Sequence, residues 1–512
     1  MTFDFHHGFC KKLEEKRMWL VAAVLFLYFA VTIALAWQKL PWNDELFSLH
    51  FAQLSSLKEI WTALKSGADQ IPLFFVLLTR ASLKLFGANM IALRLPEIIG
   101  YAVMNVSLFF FVSRRTTVFT GLLAMIFPLF TRAHEYAYEA RPYGLVLGFS
   151  AFSLLCWQRA DFERRKIALI GLFVGLTAAV ASHYYAVLVL LPLMGAELAR
   201  SVSKRRMDPM IWLIFLLSLS PLLVAFPLIQ SVSGYAGHFW AKASWLSAGT
   251  TFSFLLQPAV LPMTGLLLLL SALLLPGYGS NTQYRSSAIP FAEVVAAFGF
   301  FLLPFAGVIL GKMVTGVFAE RYALSAVIGI SIILAFLYHR LLGSRIAITL
   351  CLLFFLVFCF FLKGSAEYIR QTRNTSTWNQ ICAFLEKKSE EGLPLVSWHS
   401  NGAVELSYYC SSVVAAKIIY LADPPSALNY LGHSTIDRGL LELRPWFPVR
   451  VEPYEEFARI HREFFVFGFT QYPEWNWLLS RLLEDQLQVT LVSRHRHDFV
   501  LYRVTSDGNG FD

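Results

Sequence analysis

The sequence has few charged residues for its length. Of its 512 residues, 15% are charged and 56% are hydrophobic, whereas a soluble domain carries about 25% charged residues. Each charge placed in the hydrocarbon of a bilayer costs roughly 2.5–3.5 kcal/mol on insertion scales. This scarcity excludes an ordinary soluble protein and predicts an integral membrane protein. The net charge of +9 falls in short clusters between apolar runs, so nucleic acid is not an expected partner.

Cysteine pairs and glycine-rich loops are also missing. The six cysteines form no CxxC pair and have no histidine at ligand spacing, which excludes a typical structural zinc site. Cys382 and Cys410 fall in the polar C-terminal region, where they could pair if that region is extracytoplasmic; the sequence favours free thiols. No glycine-rich loop joins a strand to a helix, so no nucleotide fingerprint is present.

Long apolar runs dominate the first 362 residues. A helix needs about twenty apolar residues to cross a bilayer, and we expect about eleven such spans. They are predicted at 18–37, 94–112, 116–131, 143–158, 167–182, 186–199, 210–229, 252–275, 290–310, 322–338 and 345–362.

One further apolar segment, Ile71–Phe86, sets the orientation of everything after it. It is short, begins near Pro72 and contains Arg80 and Lys84. If it lies along the membrane surface, the Lys/Arg-rich loops all fall on one side, as cytoplasmic loops do. We therefore predict a juxtamembrane helix within a long first outer loop, 38–93, with the N-terminus inside and the C-terminus outside.

The composition changes after residue 362. Trp378–Glu391 has the apolar spacing of an amphipathic helix. The segments that resemble strands are Leu393–Trp398, Lys417–Leu421, Glu463–Phe469, and a hairpin of Val489–Val492 with Phe499–Val504. The sequence thus predicts a polytopic α-helical membrane domain, 1–362, followed by an extracytoplasmic α/β domain, 363–512.

Ionisable residues cluster at the outer ends of the predicted spans. Because the predicted orientation places these ends in one compartment, clusters distant in sequence would meet at the same bilayer boundary. The clusters are Asp44 and Glu45; His134, Glu135, Glu139 and Arg141; His183, Tyr184 and Tyr185; and Glu320, Arg321 and Tyr322.

This set of groups suits transfer of a sugar from a lipid phosphate to a hydroxyl. A carboxylate can take the acceptor's proton or stabilise an oxocarbenium-like centre, and arginine can bind two phosphate oxygens while staying charged. Each cluster alone also has a structural interpretation, as a solvated acidic loop, an ion pair or an interfacial anchor. The coincidence of all four clusters on one side of the membrane favours the functional interpretation.

The order of these motifs resembles that of the GT-C glycosyltransferases. The resemblance is to the bacterial branch of protein O-mannosyltransferases, the lipid A aminoarabinose transferase and lipopolysaccharide-core galacturonosyltransferases, and it covers roughly residues 18–362. The stretches that carry it are Trp42–Glu45, Pro72, Leu85–Asn89, Arg94–Pro96, Glu139–Tyr143, Ser182–Tyr185 and Glu320–Tyr322.

The resemblance implies an inverting transfer from an undecaprenyl- or dolichyl-phosphate sugar. It implies that Asp44 is the essential carboxylate with Glu45 in support, and that Arg141 and Arg321 face the donor phosphate. Relatives often carry a cation before the juxtamembrane helix where this chain has Asp69–Pro72; Lys84 or Arg80 is expected to replace it. The remaining candidates are Glu139 as a catalytic carboxylate and His134, Glu135, Tyr143, His183, Tyr184, Glu320 and Tyr322 as substrate-binding residues.

The expected partners are a polyprenyl-phosphate sugar donor and a lipid, glycan or protein acceptor, at the outer face of a bacterial inner membrane. Asp44, Glu135 and Glu139 could supply oxygen ligands to Mg²⁺ or Mn²⁺, but their spacing does not demand a metal, and we expect no obligatory one.

Two other functions compete with this hypothesis. A transporter or lipid flippase places ionisable residues or broken helices near the bilayer midplane. Mid-span charges are nearly absent from this sequence, although prolines such as Pro227 and Pro304 could break helices. A non-catalytic membrane anchor that presents the C-terminal domain would leave the acidic and arginine motifs unexplained.

Overall fold

The computed structural model of the chain is mostly helical, with a small sheet near the C-terminus. It describes residues 15–161, 164–235, 237, 239–274, 289–342, 346–470, 476–494 and 499–506. The chain divides into two compact units. Unit one comprises Met1–Trp37, Leu77–Ala225 and Ala243–Tyr368, and unit two comprises Gln38–Val76, Phe226–Lys242 and Ile369–Asp512.

Helices account for most of the chain up to residue 389. In chain order they are α1 (Arg17–Gln38), α2 (Asn43–Gln53), α3 (Leu57–Lys65), α4 (Leu73–Phe86), α5 (Met90–Ser113), α6 (Val118–Ile126), α7 (Tyr143–Arg159), α8 (Arg165–Ser182), α9 (Leu190–Lys204), α10 (Pro209–Leu217), α11 (Ser220–Ser233), α12 (Leu246–Leu256), α13 (Val260–Leu274), α14 (Phe291–Phe301), α15 (Leu303–Leu310), α16 (Ala326–Leu342) and α17 (Ile346–Ser389). Short 3₁₀ turns at Arg132–Ala137, Tyr184–Val189 and Glu320–Ala323 join some of them.

Every apolar segment predicted from the sequence overlaps one or two of these helices. Within the described residues, seven helical stretches are long and apolar enough to cross a membrane, and a bent pair makes an eighth; Val118–Phe130 and Ala326–Leu341 are shorter apolar helices. The chain is thus an integral membrane protein, and the count of about eleven spans stays a prediction. Helix α4, predicted to be juxtamembrane, has 14 residues and is not among these stretches.

The bent pair is α14 and α15, whose axes differ by 52°. Pro304 lies in the first turn of α15. Proline has no backbone N–H and its ring clashes with the carbonyl four residues earlier. The chain therefore breaks at Leu302 instead of continuing one straight helix.

Close packing of α5 on α7 fixes the start of α7 in unit one. A Cβ added to Gly148 would lie 2.2 Å from the carbonyl oxygen of Gly100, and one on Gly100 would lie 2.6 Å from that of Gly144. Only glycine lets two helix backbones approach this closely. At the same contact, the Leu145 N–H donates to Glu97 over 2.9 Å. The packing thus positions the turn just before α7, which carries predicted site residues.

Unit two contains a six-stranded mixed sheet. Its strands are β1 (Leu395–Ser397), β2 (Ile418–Ala422), β3 (Arg450–Pro453), β4 (Glu463–Phe469), β5 (Gln488–Arg494) and β6 (Phe499–Thr505), in the order β3-β2-β1-β4-β6-β5. The first four in this order run parallel, and β6 is antiparallel to both β4 and β5. The predicted α/β domain and its hairpin are confirmed; β3 was not predicted.

Helices cover the sheet of unit two. They are α18 (Ser400–Tyr409), α19 (Ser412–Ala415), α20 (Pro424–Leu431), α21 (Thr435–Leu443), α22 (Tyr454–Ile460) and α23 (Leu478–Glu484). Side chains of β1, β2 and β4 form the core of this layer, with Trp398, Phe457 and Trp477 packed among them.

One local expectation for this region is confirmed and one was wrong. The helix predicted at Trp378–Glu391 is present as the end of α17, which runs unbroken for 44 residues from the last apolar segment to Ser389, since the sequence holds no proline there to stop it. Cys382 and Cys410 are not free thiols but form a disulfide, with Cα atoms 5.1 Å apart. The long α17 brings Cys382 beside the end of α18, which sequence spacing does not reveal.

Candidate functional site

Three of the predicted residues form an aromatic group in unit one. The ring of His183 lies 5.4 Å from that of Tyr143 and 5.0 Å from that of Tyr322. The three come from different loops: Tyr143 begins α7, His183 follows α8, and Tyr322 lies in the 3₁₀ turn before α16. Folding of unit one thus gathers three loops that are far apart in sequence.

Two arginines border this aromatic group. Burial, together with the positive charges of Arg141 and Arg321, lowers the pKa of His183 to about 3. The charges of both arginines also act on Tyr322. The imidazole is therefore neutral at physiological pH, and the two guanidiniums supply the positive charge. We name Tyr143, His183, Tyr322, Arg141 and Arg321 the tyrosine–arginine cluster.

A tight turn presents Arg141. The N–H of Arg141 donates to the carbonyl of Glu139 over 2.8 Å, and the N–H of Tyr143 donates to that of Arg141 over 2.7 Å. Two successive hydrogen bonds between residues two positions apart turn the chain sharply. Pro142, with φ near −65°, then leads into α7. Arg141 is buried, with 8% of its surface exposed. The turn therefore holds a buried cation on a constrained backbone.

Two further tyrosines complete the surroundings: Tyr185, which belongs to a cluster that the sequence singles out, and Tyr136, which does not. The ring of Tyr136 lies 4.9 Å from that of Tyr143, and the ring of Tyr185 lies 4.8 Å from that of Tyr322. The hydroxyl of Tyr185 also contacts Thr315 over 2.6 Å. Tyr136 could not be selected from the sequence, because tyrosines at span ends commonly serve as interface anchors.

The acidic residues near the cluster differ in surroundings. The charge of Glu139 acts on Tyr136 together with that of Arg321, and more strongly than the charge of Glu135 does, so this carboxylate lies beside the cluster. Glu135 forms an ion pair with Arg132 at 2.8 Å. Glu320 accepts a hydrogen bond from Thr250 over 3.0 Å. Of the three, Glu139 has the surroundings that best fit a functional carboxylate.

His134 lies in the helical interior of unit one. Only 1% of it is exposed, and its Nε2 contacts the Thr32 hydroxyl over 3.1 Å. Aromatic rings that include Tyr28 and Phe360 surround it at 5.2–6.2 Å. Burial, with the charge of Lys363, holds its pKa well below the ordinary value. These contacts fit a structural residue better than a substrate ligand.

The remaining candidates of unit one lie at its periphery. Lys84 is exposed in the last turn of α4, and Tyr184 is half-buried next to His183. The predicted phosphate-binding role of Lys84 stays a prediction.

The acidic pair belongs to unit two, where its members differ sharply. Both lie in the first turn of α2, where the helix dipole stabilises negative charge. Glu45 is fully buried and forms an ion pair with Lys39 at 3.7 Å. Asp44 is half-buried. Its partial exposure suits a reacting group, whereas Glu45 has the surroundings of a structural carboxylate.

The C-terminal domain holds the loop that carries Asp44. The backbone N–H of Asn43 donates to Glu405 over 3.1 Å, and the Tyr409 hydroxyl donates to the carbonyl of Pro41 over 2.5 Å. Glu405 and Tyr409 are one turn apart on α18. The ring of Phe447 also packs on Phe47 at 4.9 Å. The first loop and the C-terminal domain thus fold as one body.

Comparisons with known proteins agree with this architecture. The sequence model of the family described as dolichyl-phosphate-mannose-protein mannosyltransferase matches residues 70–227. The apo crystal structure of ArnT from Cupriavidus metallidurans is similar at 12% identity, covering 95% of this chain and 97% of that chain, with a TM-score of 0.58. The same protein bound to undecaprenyl phosphate gives a TM-score of 0.56 at equal identity and coverage.

A more distant similarity is to an oligosaccharyltransferase from Archaeoglobus fulgidus tethered to an acceptor peptide. It shares 10% identity over 96% of this chain and 74% of that chain, with a TM-score of 0.48. Among curated protein sequences, none matches this chain.

The fold is that of the GT-C membrane proteins, as the motifs of the sequence indicate. The match of residues 70–227 to the mannosyltransferase family model and the shared fold with ArnT agree with the predicted enzyme class, a glycosyltransferase. These comparisons give the transporter alternative no support.

Proposed function

We propose that the enzyme transfers a sugar from a polyprenyl-phosphate donor to an acceptor hydroxyl at the outer face of a bacterial inner membrane, with inversion. The observation that carries the proposal is the tyrosine–arginine cluster, in which Arg141 and Arg321 from separate loops both act on His183 and Tyr322. ArnT, whose fold this chain shares, has been crystallised with undecaprenyl phosphate, which supports a lipid phosphate as the donor.

Each group in the proposed reaction has a distinct task. Arg141 and Arg321 bind the phosphate oxygens, and their charge stabilises the leaving lipid phosphate as the glycosidic bond breaks. Asp44 removes the proton from the attacking hydroxyl. The aromatic rings exclude water, so that the acceptor rather than water attacks the anomeric carbon.

The proposal needs no obligatory divalent cation. The phosphate leaves with its charge matched by two guanidiniums, which do the work that a metal does in other transferases. Within the described residues, no group of three or more His, Cys, Asp or Glu side chains is arranged to hold an ion. Transfer that persists in excess EDTA would support this proposal, and restoration of lost activity by Mn²⁺ would contradict it.

The decisive experiment uses the purified full-length chain in lipid nanodiscs. Synthetic polyprenyl-phosphate sugars are added with envelope lipids and glycans from a deletion strain, and mass spectrometry follows both products. We expect release of polyprenyl phosphate in equal amount to a newly glycosylated acceptor. Movement of lipid between vesicle leaflets without any sugar transfer would contradict the proposal.

A further inference from the structure

A cavity of about 380 Å³ lies within unit two, in the C-terminal domain. His399 follows the end of β1, Phe469 ends β4, and Tyr420 lies in β2. In the parallel part of the sheet β1 lies between β2 and β4, so the strand order reverses at β1: the chain continues to β2 and β3 on one side and then returns to β4 on the other. Such a switch point, at the carboxyl ends of the strands, is where open α/β sheets bind ligands.

The lining combines aromatic walls with hydrogen-bonding groups. Trp378 and Phe469 meet edge to face, with ring centroids 5.4 Å apart. The polar lining residues are His399, Ser400, Asn401, Glu405, His433 and Asp437. The first N–H groups of α18, at Ser400 and the residues after it, lie at the same wall, and the first N–H groups of a helix have no acceptor within it. The cavity thus offers both donors and acceptors around an apolar face.

Charge selects among possible ligands. Among the described residues, the lining includes two carboxyl groups and no lysine or arginine, which disfavours a phosphate or a carboxylate ligand. Burial raises the pKa of Glu405 to about 7 and that of Asp437 to about 6. These carboxyls therefore exchange between donor and acceptor forms near neutral pH, as suits a ligand with hydroxyl groups.

The shape fits a small ring. The volume is at the lower end of the roughly 300–1,000 Å³ range of small-molecule sites. A sugar ring presents apolar C–H groups on its faces and hydroxyls around its edge. Trp378 and Phe469 offer aromatic surfaces for the C–H faces. Asn401, Glu405 and His399 offer hydrogen bonds to the hydroxyls. A nucleotide is a poorer fit, because the β1–α18 turn has no glycine and the start of α18 has one, Gly402, where phosphate-binding turns have several.

We propose that this cavity binds an uncharged sugar ring of the acceptor, an assignment that rests on the proposed function. The cavity adjoins the loop of the predicted base: Glu405 lines it and accepts the hydrogen bond from Asn43, the residue before Asp44. A glycan anchored here would be held by the same helix, α18, that fixes the loop carrying Asp44. The C-terminal domain is thereby a binding module for the acceptor, not only a brace for the loops.

The test measures binding directly, with neutral methyl glycosides as probes. Saturation-transfer NMR on the full-length chain in detergent compares the wild type with Trp378→Ala and with Trp446→Ala, a half-buried tryptophan of the same domain outside the cavity. We expect magnetisation transfer to the ring protons of at least one glycoside. It should fall about fivefold or more in Trp378→Ala, the scale of one lost aromatic contact, and should persist in Trp446→Ala.

A second variant controls for the possibility that Trp378→Ala does not fold. Asn401 is exposed at the cavity, so Asn401→Ala should fold normally and still weaken binding. Equal signals from the wild type, Trp378→Ala and Asn401→Ala would overturn the proposal, as would displacement of the glycoside by inorganic phosphate. A transferase assay separates the two proposals: if Asp44→Asn transfers sugar at the wild-type rate while glycoside binding depends on Trp378, the catalytic role fails and the cavity assignment stands.

Discussion

The backbone N–H of Asn43 donates a hydrogen bond to Oε1 of Glu405 over 3.1 Å. This bond joins residues 362 positions apart in the sequence and places a buried carboxyl next to the loop of Asp44. The negative charge of Asp44 acts on Glu405. A change of charge at one of these carboxyls therefore changes the electrostatic potential at the other.

Glu405→Gln should flatten the pH dependence of stability between pH 6 and 7. Burial, opposed by the Asn43 bond and reinforced by Asp44, raises the pKa of Glu405 from 4.5 to about 7. The folded carboxyl keeps its proton where the unfolded one has lost it, so this stabilisation is full below pH 4.5 and is lost as the pH rises through 7. Thermal unfolding followed by tryptophan fluorescence measures the change.

The matched control is Glu390→Gln, which alters an exposed carboxyl near the end of α17. It should unfold with the pH profile of the wild type. Asp437, with a pKa raised to about 6 mainly by burial, contributes below this window. A Glu405→Gln profile as steep as that of the wild type between pH 6 and 7 would contradict the assignment.

The two members of the acidic pair should respond differently to amide substitution. Asp44→Asn should lower kcat by about 10²–10⁴-fold, the usual contribution of a general base, with little change in stability because the side chain is half-exposed. Glu45→Gln should instead lower the free energy of unfolding by roughly 3–5 kcal/mol, because it leaves Lys39 poorly paired beside a buried position. Transfer assays and thermal unfolding on both variants separate the effects. A stable but inactive Glu45→Gln would reverse the two roles.

Much of the fold follows from hydrophobic patterning. Apolar runs near twenty residues produce helices wherever they occur, and the strands at Leu395–Ser397 and Glu463–Phe469 follow from β-branched and aromatic runs. Strand β3 was missed because Arg450–Pro453 alternates charged residues with apolar ones over only four positions and ends in proline. Such a short edge strand is defined by its pairing with β2, not by its own sequence.

The candidate site was also predictable in part from residue patterns. Motifs at span ends indicate which loops carry chemistry, and His183, Tyr143 and Tyr322 do meet. Whether a residue faces a site or the core depends on helix rotation, which sequence spacing does not fix for an irregular turn. His134 lies in the 3₁₀ turn Arg132–Ala137 and faces the core. The cavity in the C-terminal domain escaped prediction because its lining comes from several separate segments.

Loss of either cluster arginine should weaken donor use. Replacing Arg141 or Arg321 by Gln removes charged hydrogen bonds to phosphate, and we expect kcat/KM for the donor to fall about tenfold to hundredfold. Lysine at either position should restore part of the activity, because it keeps the positive charge. It should not restore all of it, because it cannot form the bidentate hydrogen bonds of arginine. Arg165→Gln, at an exposed ion pair with Asp208, serves as the control and should retain wild-type kinetics. Unchanged donor kinetics in both cluster variants would exclude the phosphate-binding role.

The Cys382–Cys410 disulfide makes the orientation of the C-terminal domain testable. Disulfides persist in oxidising compartments and are rare in the cytosol, so an extracytoplasmic domain should keep this pair oxidised in growing cells. We expect neither cysteine to react with a membrane-impermeant maleimide in intact spheroplasts until a reductant is added. The purified protein should lose about 3.5 kcal/mol of stability on reduction, given the separation of 28 residues.

Two introduced cysteines in a variant lacking Cys382 and Cys410 provide the internal reference. Asn379→Cys lies exposed on α17 near the native pair, and Arg206→Cys lies exposed after α9 in a predicted cytoplasmic loop. Asn379→Cys should label in intact spheroplasts, and Arg206→Cys only after the membrane is permeabilised. The opposite pattern would put the C-terminal domain in the cytosol. Since Asn43 and Glu405 bind each other within one unit, it would also move Asp44 to the cytoplasmic side and contradict an outer-face reaction.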